Sequence, residues 1–336
     1  MRPAWVVPSV VPACDVLGIG LNATDTLLIV DEFPAYAGKV PFQKEMLSPG
    51  GQVATAIVTC ASLGLRSKYI GTLGDDLRGQ IQRESLEGTG VDITSILVRE
   101  GCANQTAYIV IDTRTGERTI FWQRSDCLRL TPADISPDDI ASARMLHIDG
   151  YDTEAAAYAA SIARQYGVPV SLDVDTVYPD FERVLKNVDY LIAGSGWPGK
   201  WTGEADPFKA LASLQTEYGC RLVAMTLGHA GSLALENGRW EYSAAFEIHC
   251  ADTTGAGDVF HGAFCYAVLT GMELQSALEF SNAAAALNCT AIGARGHIPT
   301  RGEIDDLISA ASRGGVARHN SPEIRARFEE VASVAR

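Results

Sequence analysis

The chain has 336 residues, of which 47% are hydrophobic and 20% charged, with 32 glycines and 14 prolines. That is an ordinary globular composition, which excludes wholesale disorder, collagen-like structure and coiled coil; the length suits about two units, or one large α/β domain with a small appendage. A net charge of −14, from 27 basic and 41 acidic residues, speaks against a nucleic-acid or anionic-membrane surface.

The eight cysteines, Cys14, Cys60, Cys102, Cys127, Cys220, Cys250, Cys265 and Cys289, include no Cys-x-x-Cys pair. They read as scattered, mostly buried small side chains in a reducing compartment, not as a disulfide framework. The opening stretch, 1–13, is broken by Pro3, Pro8 and Pro12 and lacks the charged region and continuous apolar core of a signal peptide. No run reaches the ~18 apolar residues of a membrane span. The expectation is a cytoplasmic protein with neither membrane nor nucleic-acid partner.

In chain order, strands are expected at 15–20, 26–30 and 40–47, the last two joined by a Pro/Gly-rich link. Gly50-Gly51 then opens an apolar helix over 53–63 that stops at Gly64. A short strand at 68–71 and an amphipathic helix at 77–87 follow. Residues 105–112 and 117–123, separated by the turn at 113–116, read as a hairpin. From 145 onward strands (145–148, 168–172, 190–193, 222–226) alternate with helices (153–166, 181–187, 207–218), the pattern of a parallel sheet covered on both faces. Helices dominate 257–292, and 301–336 reads as helical and exposed with a break at Gly314-Gly315. The β-rich segments 21–48 and 95–124 read as one small sheet that leaves and rejoins a core made of 15–20, 49–94 and 125–312, with 313–336 as a C-terminal helical extension.

Three glycine-rich segments compete for a phosphate. Gly18-Ile19-Gly20-Leu21-Asn22-Ala23 fits the dinucleotide pattern, but a strand, not a helix, follows it. Gly194-Ser195-Gly196-Trp197-Pro198-Gly199-Lys200 nearly matches the P-loop, but Trp201 stands where a hydroxyl should ligate Mg²⁺, and Gly203 and Pro207 shorten the next helix. Asp252-Thr253-Thr254-Gly255-Ala256-Gly257-Asp258 precedes a long apolar run, so its small residues would aim N–H groups at an anion from a helix start. Asp258 would then be a general base beside a phosphate or an acidic cap worth ~1 kcal/mol. The residues alone leave both readings open.

Those residues, continued by Val259-Phe260, resemble the D-T-x-G-A-G-D-x-F signature of the ribokinase-like (PfkB) carbohydrate kinases. Three further segments resemble the same family in order: Asn22-x-x-Asp25; Gly50-Gly51 through Leu63-Gly64 with Gly71-Thr72-Leu73-Gly74-Asp75-Asp76; and Thr226-Leu227-Gly228-His229-Ala230-Gly231. The resemblance spans 15–300. It implies a Rossmann-like α/β/α core with a mostly parallel sheet and a small β-sheet lid, and transfer of the ATP γ-phosphoryl to a sugar hydroxyl. It makes Asp258 the base and the N–H groups of Gly255, Ala256 and Gly257 the anion hole. It places Asp25, Gly50, Gly51 and Thr55 at the sugar, with Asp112 where some members carry a lid asparagine. Thr226, Gly228, Gly231 and Asn282 fall where the family binds the nucleotide, and Asp252 with the loop 291–296 where many members bind K⁺. Mg²⁺ would accompany ATP, and a homodimer would form through the lid.

Two departures stand out. Thr55 replaces the usual asparagine four residues after the second glycine, and so lacks the amide's donor–acceptor pair. Gly194 and Trp197 replace both polar residues of the family's N-x-x-E motif, which leaves Mg²⁺ to water and ATP phosphates or to another acid, Asp173, Asp175 or Glu204. Besides a sugar kinase, the same resemblance admits a nucleoside kinase or a catalytically weak sugar- or nucleotide-binding relative.

Overall fold

The computed structural model describes residues 12–319 and 321–334, so the reading of the opening stretch falls almost wholly outside the described residues. In chain order the elements are β1 (Cys14–Ile19), β2 (Ala23–Val30), β3 (Phe42–Gly50), α1 (Gln52–Ser62), β4 (Ser67–Ile70), β5 (Thr72–Gly74), α2 (Leu77–Gly88), β6 (Leu97–Arg99), β7 (Thr106–Asp112) and β8 (Arg118–Gln123). There follow α3 (Pro137–Ala141), β9 (Ala143–Ile148), α4 (Thr153–Tyr166), β10 (Val170–Val174), α5 (Glu182–Leu185), β11 (Tyr190–Gly194), α6 (Trp197–Thr202), α7 (Pro207–Tyr218), β12 (Leu222–Thr226), β13 (Ser232–Glu236) and β14 (Arg239–Ser243). The described chain closes with β15 (Ala245–Phe246), α8 (Ala256–Leu269), α9 (Leu274–Asn288), α10 (Arg301–Ser312), β16 (Arg318–His319) and α11 (Pro322–Val334).

Eight strands form the central sheet in the order β14-β13-β12-β11-β10-β9-β1-β4. The pairs from β4 to β12 are parallel, and β13 and β14 add an antiparallel hairpin. Successive strand residues point to opposite faces. Leu17, Leu146, Leu172, Leu191 and Val223 pack under α4 and α7, while Val16, Met145, Ile192 and Ala224 pack under α1, α8 and α9. The expected two-sided parallel sheet is therefore present. The β13–β14 hairpin is additional to the sequence expectation; Glu236 and Arg239 pair at its turn, and residues 232–235 of β13 are buried. In α4 the residues Ala155, Ala156, Ala159, Ala160 and Ala163 form a flat small-residue face that lies close on the sheet.

The two β-rich excursions meet in one four-stranded sheet, ordered β3-β2-β7-β8. Its centre is the parallel β2–β7 pair, with β3 and β8 antiparallel at the edges. Helix α2 attaches to it: Arg78 Nε donates to Thr106 Oγ1 at 3.0 Å and Nη2 to Thr26 Oγ1 at 2.9 Å. The terminal helix α11 is not wholly exposed, because Ile324, Phe328 and Val331 pack against the core.

One expectation fails. Cys102 and Cys127 form a disulfide, where the expectation is scattered cysteines in a reducing compartment with no disulfide framework. Cys102 precedes β7 and Cys127 follows β8, so the hairpin itself returns the chain to its base and brings together two residues 25 apart. Cys14, Cys60, Cys265 and Cys289 are free and buried, Cys250 is free and half-buried, and Cys220 is buried. Among the described residues no helix is long and apolar enough to cross a membrane.

Candidate active site

The parallel strands end in polar residues on one edge of the sheet: Asp149 after β9, Asp173 and Asp175 at the end of β10, Gly194 on β11 and Thr226 on β12. This is the edge at which open α/β sheets bind ligands. Helix α8 begins there. Its N-cap is Gly255 at φ 80°, and a Cβ on Gly255 would lie 2.5 Å from the Ala294 carbonyl oxygen, so the turn is restricted to glycine. In the first turn the Ala256 N–H donates to the Thr253 carbonyl at 3.3 Å, while the N–H groups of Gly257 and Asp258 have no backbone acceptor among the described residues, and Gly257 is exposed. Asp258 is the third helical residue, partly exposed, and its side chain accepts no hydrogen bond from the described residues. That removes the capping reading. Burial and the neighbouring carboxylates of Asp173 and Asp175 push Asp258 well above the usual carboxylate range, while Arg118 and Arg295 pull it down.

Asp252 anchors the segment before α8. It is fully buried; Oδ1 accepts from Thr254 N at 2.9 Å and Thr254 Oγ1 at 2.7 Å, and Oδ2 from Gly293 N at 2.8 Å. It joins no ion pair among the described residues.

Asp25 lies on β2 opposite Ser48 of β3. It is buried, and a Cβ on Gly50 would lie 2.6 Å from its Oδ2. Burial pushes Asp25 up to about 7, with Arg295 opposing and Asp252 adding to the rise. Gly51 caps α1 at φ 93°, where a Cβ would meet Asn22 Cα at 2.3 Å; the paired glycines thus let β1's exit and α1's start touch. Asn22 itself is a scaffold residue: its Nδ2 donates to Thr72 O at 2.8 Å and to Tyr69 Oη at 3.1 Å. Asp149 accepts from Leu21 N at 2.6 Å and fixes the same turn.

The residues expected at the nucleotide form one patch. Thr226 ends β12, Gly228 opens the turn to β13, and Gly231 lies against the Ser243 carbonyl to which Asn282 Nδ2 donates at 2.9 Å. Asn282 is buried and committed to that contact. Two other expected residues are engaged elsewhere. Asp112 accepts from Phe33 N, Arg114 N and the Arg114 guanidinium, which holds its carboxyl well below the usual range and makes it a turn residue. Thr55 Oγ1 accepts from Arg295 Nε at 3.2 Å.

Three functional candidates had no clear signal in sequence. Arg295 bridges Thr55, Ser85 and Gly50. Arg118 Nη1 on β8 reaches Thr253 Oγ1 at 2.6 Å. His261, one turn after Asp258, pairs with Asp173 Oδ1 at 3.0 Å beneath the site. Each contact joins residues at least 88 positions apart in sequence. The N-x-x-E position is now accounted for: Trp197 is 1% exposed, stacks on Trp201 at 5.2 Å and donates Nε1 to Thr176 O at 3.1 Å. It fills core space and cannot stand in for a carboxylate. Gly194 sits beside Asp175, with a Cβ there 3.6 Å from that of Asp175. Among the described residues no group of three His, Cys, Asp or Glu side chains is arranged to hold a metal.

Comparison with known proteins agrees with this geometry. The pfkB family carbohydrate kinase model matches residues 15–301. The ATP-dependent ribose-1-phosphate kinase of Halopiger xanaduensis is 28% identical over 88% of this chain and 98% of its own length. The nucleoside kinase of Methanothermobacter thermautotrophicus is 27% identical over 86% of this chain and 94% of its own. The structure of Arabidopsis thaliana ribokinase complexed with ribose and ATP shares the fold, with a TM-score of 0.72 and 22% identity over 88% of this chain and 99% of that one.

Proposed function

The chain belongs to the pfkB family of carbohydrate kinases and is a phosphotransferase; we propose that it moves the γ-phosphoryl of ATP to a hydroxyl of a sugar, with Asp258 as general base. The observation that carries this reading is Asp258 itself: a carboxylate with no hydrogen-bond donor among the described residues, set behind a glycine-capped helix start, with its proton affinity raised well above the usual carboxylate range by burial and by Asp173 and Asp175. Asp258 takes the proton of the acceptor hydroxyl, the freed oxygen bonds the γ-phosphorus, and the bond to the ADP oxygen breaks. The N–H groups of Gly255, Ala256 and Gly257 and the α8 dipole take up the charge that develops. Asp25 accepts from acceptor hydroxyls, and Gly50 and Gly51 leave room for them. Thr226, Gly228, Gly231 and the Ser243–Asn282 contact shape the nucleotide side.

Mg²⁺ would neutralise phosphate charge as it arrives with ATP. Asp175, exposed beside Gly194, is the carboxylate placed to meet its water shell. A monovalent cation, K⁺, suits Asp252, a buried carboxylate with no ion pair among the described residues. The four-stranded sheet acts as a lid over the acceptor and as the face of a homodimer. Localisation in the cytoplasm suits the buried thiols of Cys14, Cys60, Cys265 and Cys289.

A nucleoside acceptor is the second reading. It is favoured by Trp122, 59% exposed on the sheet row that also carries Ala107 and set edge-on to Tyr151 at 6.0 Å, a surface for a planar base. The test is ADP release with a panel of sugars and nucleosides at saturating Mg·ATP. Turnover with at least one panel member supports the reading, and ligand binding without turnover for every member would leave a binding protein instead.

A further inference from the structure

Arg295 lies in the loop between α9 and α10, yet its guanidinium leaves that loop altogether. Nε donates to Thr55 Oγ1 of α1 at 3.2 Å, Nη1 to Ser85 Oγ of α2 at 2.9 Å, and Nη2 to the Gly50 carbonyl at 3.0 Å. All three acceptors are neutral, and Arg295 joins no ion pair among the described residues. A half-buried guanidinium without a carboxylate partner is costly. Burial pulls it down to about 10, with Tyr69, Asp258 and Asp25 acting against that fall. Its charge is therefore held for the cleft.

The glycine it grips is the one beside Asp25, since a Cβ on Gly50 would lie 2.6 Å from Asp25 Oδ2 and 3.3 Å from Ala294 Cβ. We propose that Arg295 is a positioning residue of the acceptor pocket: it clamps the 291–296 loop onto the glycine pair and sets a fixed positive charge next to Asp25, taking the place of the amide absent at Thr55. This rests on the reading of Asp25 as the acceptor-binding carboxylate. Five donors in a rigid fork allow one side chain to reach three elements at once, which a lysine cannot do. The groups that face Asp25 are Arg295 from the loop, Asp252 from the segment before α8 and the Ala107 N–H of β7. Arg295 and the Ala107 N–H lower the proton affinity of Asp25, against burial and Asp252, which raise it.

The experiment compares Arg295→Gln and Arg295→Lys in the full chain. Asp25 is followed by ¹³C NMR of aspartate-labelled protein, with its signal assigned through Asp25→Asn. In Arg295→Gln the Asp25 titration should move to higher pH, by about tenfold in its ionisation constant, and in Arg295→Lys it should return most of the way. With the acceptor found in the panel, Arg295→Gln should raise its KM by about tenfold or more and leave the KM for ATP within about twofold. An unmoved Asp25 titration in folded Arg295→Gln protein overturns the proposal, and this holds even if the parent chain phosphorylates nothing. A titration that moves while equal losses appear for acceptor and ATP overturns the positioning role in favour of a general structural one. Failure of the parent to turn over any acceptor sinks the kinase reading alone.

Discussion

Arg118 Nη1, at the start of β8, donates to Thr253 Oγ1 at 2.6 Å, and so ties the outer edge of the four-stranded sheet to the segment that leads into Asp258. The contact is reinforced by Thr253 Oγ1 donating to the Gly116 carbonyl in the β7–β8 turn at 3.4 Å. Arg118 is exposed and lowers the proton affinity of Asp258. Arg118→Ala should leave the melting temperature nearly unchanged and reduce kcat/KM by about tenfold, the usual size for one hydrogen bond to a charged group. Steady-state kinetics beside a thermal melt checks this.

Asp25 gives a pH signature. Its carboxyl is raised to about 7 in the fold by burial, against about 3.9 in an unfolded chain. The native state therefore binds the proton more tightly, so the stabilisation is full below the unfolded value and is lost as pH rises through about 7. Asp25→Asn should melt higher than the parent at pH 8, with the difference shrinking toward pH 4, while acceptor affinity falls. Melts of both proteins across that range decide it; a gap that widens at low pH would contradict the burial of Asp25.

The fold was largely legible because its helices and strands announce themselves locally. The apolar run after Gly51 and the alternation from residue 145 onward each encode their own element, and helices 153–166 and 207–218 match their expected bounds. The site was legible where one segment carries it whole, as in Asp252 to Asp258. It was not legible where distant side chains converge. Arg295 and Thr55 are 240 residues apart, and nothing near Arg295 announces that contact. Cys102 and Cys127 likewise pair only because a hairpin folds between them. Asp112 could not be told from a pocket residue until Arg114 and Phe33 were seen to occupy it.

The loss of the N-x-x-E residues has two separable consequences. Trp197→Ala should cost about 3–5 kcal/mol, because it removes a fully buried ring that stacks on Trp201 and meets Phe181 edge-on. Asp175→Asn should instead keep stability and raise the free Mg²⁺ needed for half-maximal turnover at saturating Mg·ATP. If that titration does not move, Asp175 has no part in the metal's water shell.

On the face of the four-stranded sheet that α2 partly covers, register sets Leu47 opposite Thr26, which is buried under Arg78, Thr26 beside Tyr108, and Tyr108 opposite Phe121. Leu47, Tyr108 and Phe121 are 39%, 49% and 60% exposed. An apolar row on a sheet face favours pairing with a second copy. Sedimentation at micromolar concentration should show a dimer, and Phe121→Arg should shift it toward monomer; a monomeric parent would remove the lid-mediated dimer.

The most direct measurement is turnover by Asp258→Asn with the acceptor identified in the panel. The substitution is nearly isosteric and removes the carboxylate in the first turn of α8, leaving the Gly255, Ala256 and Gly257 N–H groups in place. The expected result is a fall in kcat of ~10²–10⁴-fold with ATP affinity within about twofold of the parent and no loss of melting temperature. An unchanged kcat in that folded, ATP-binding protein would contradict Asp258 as the base.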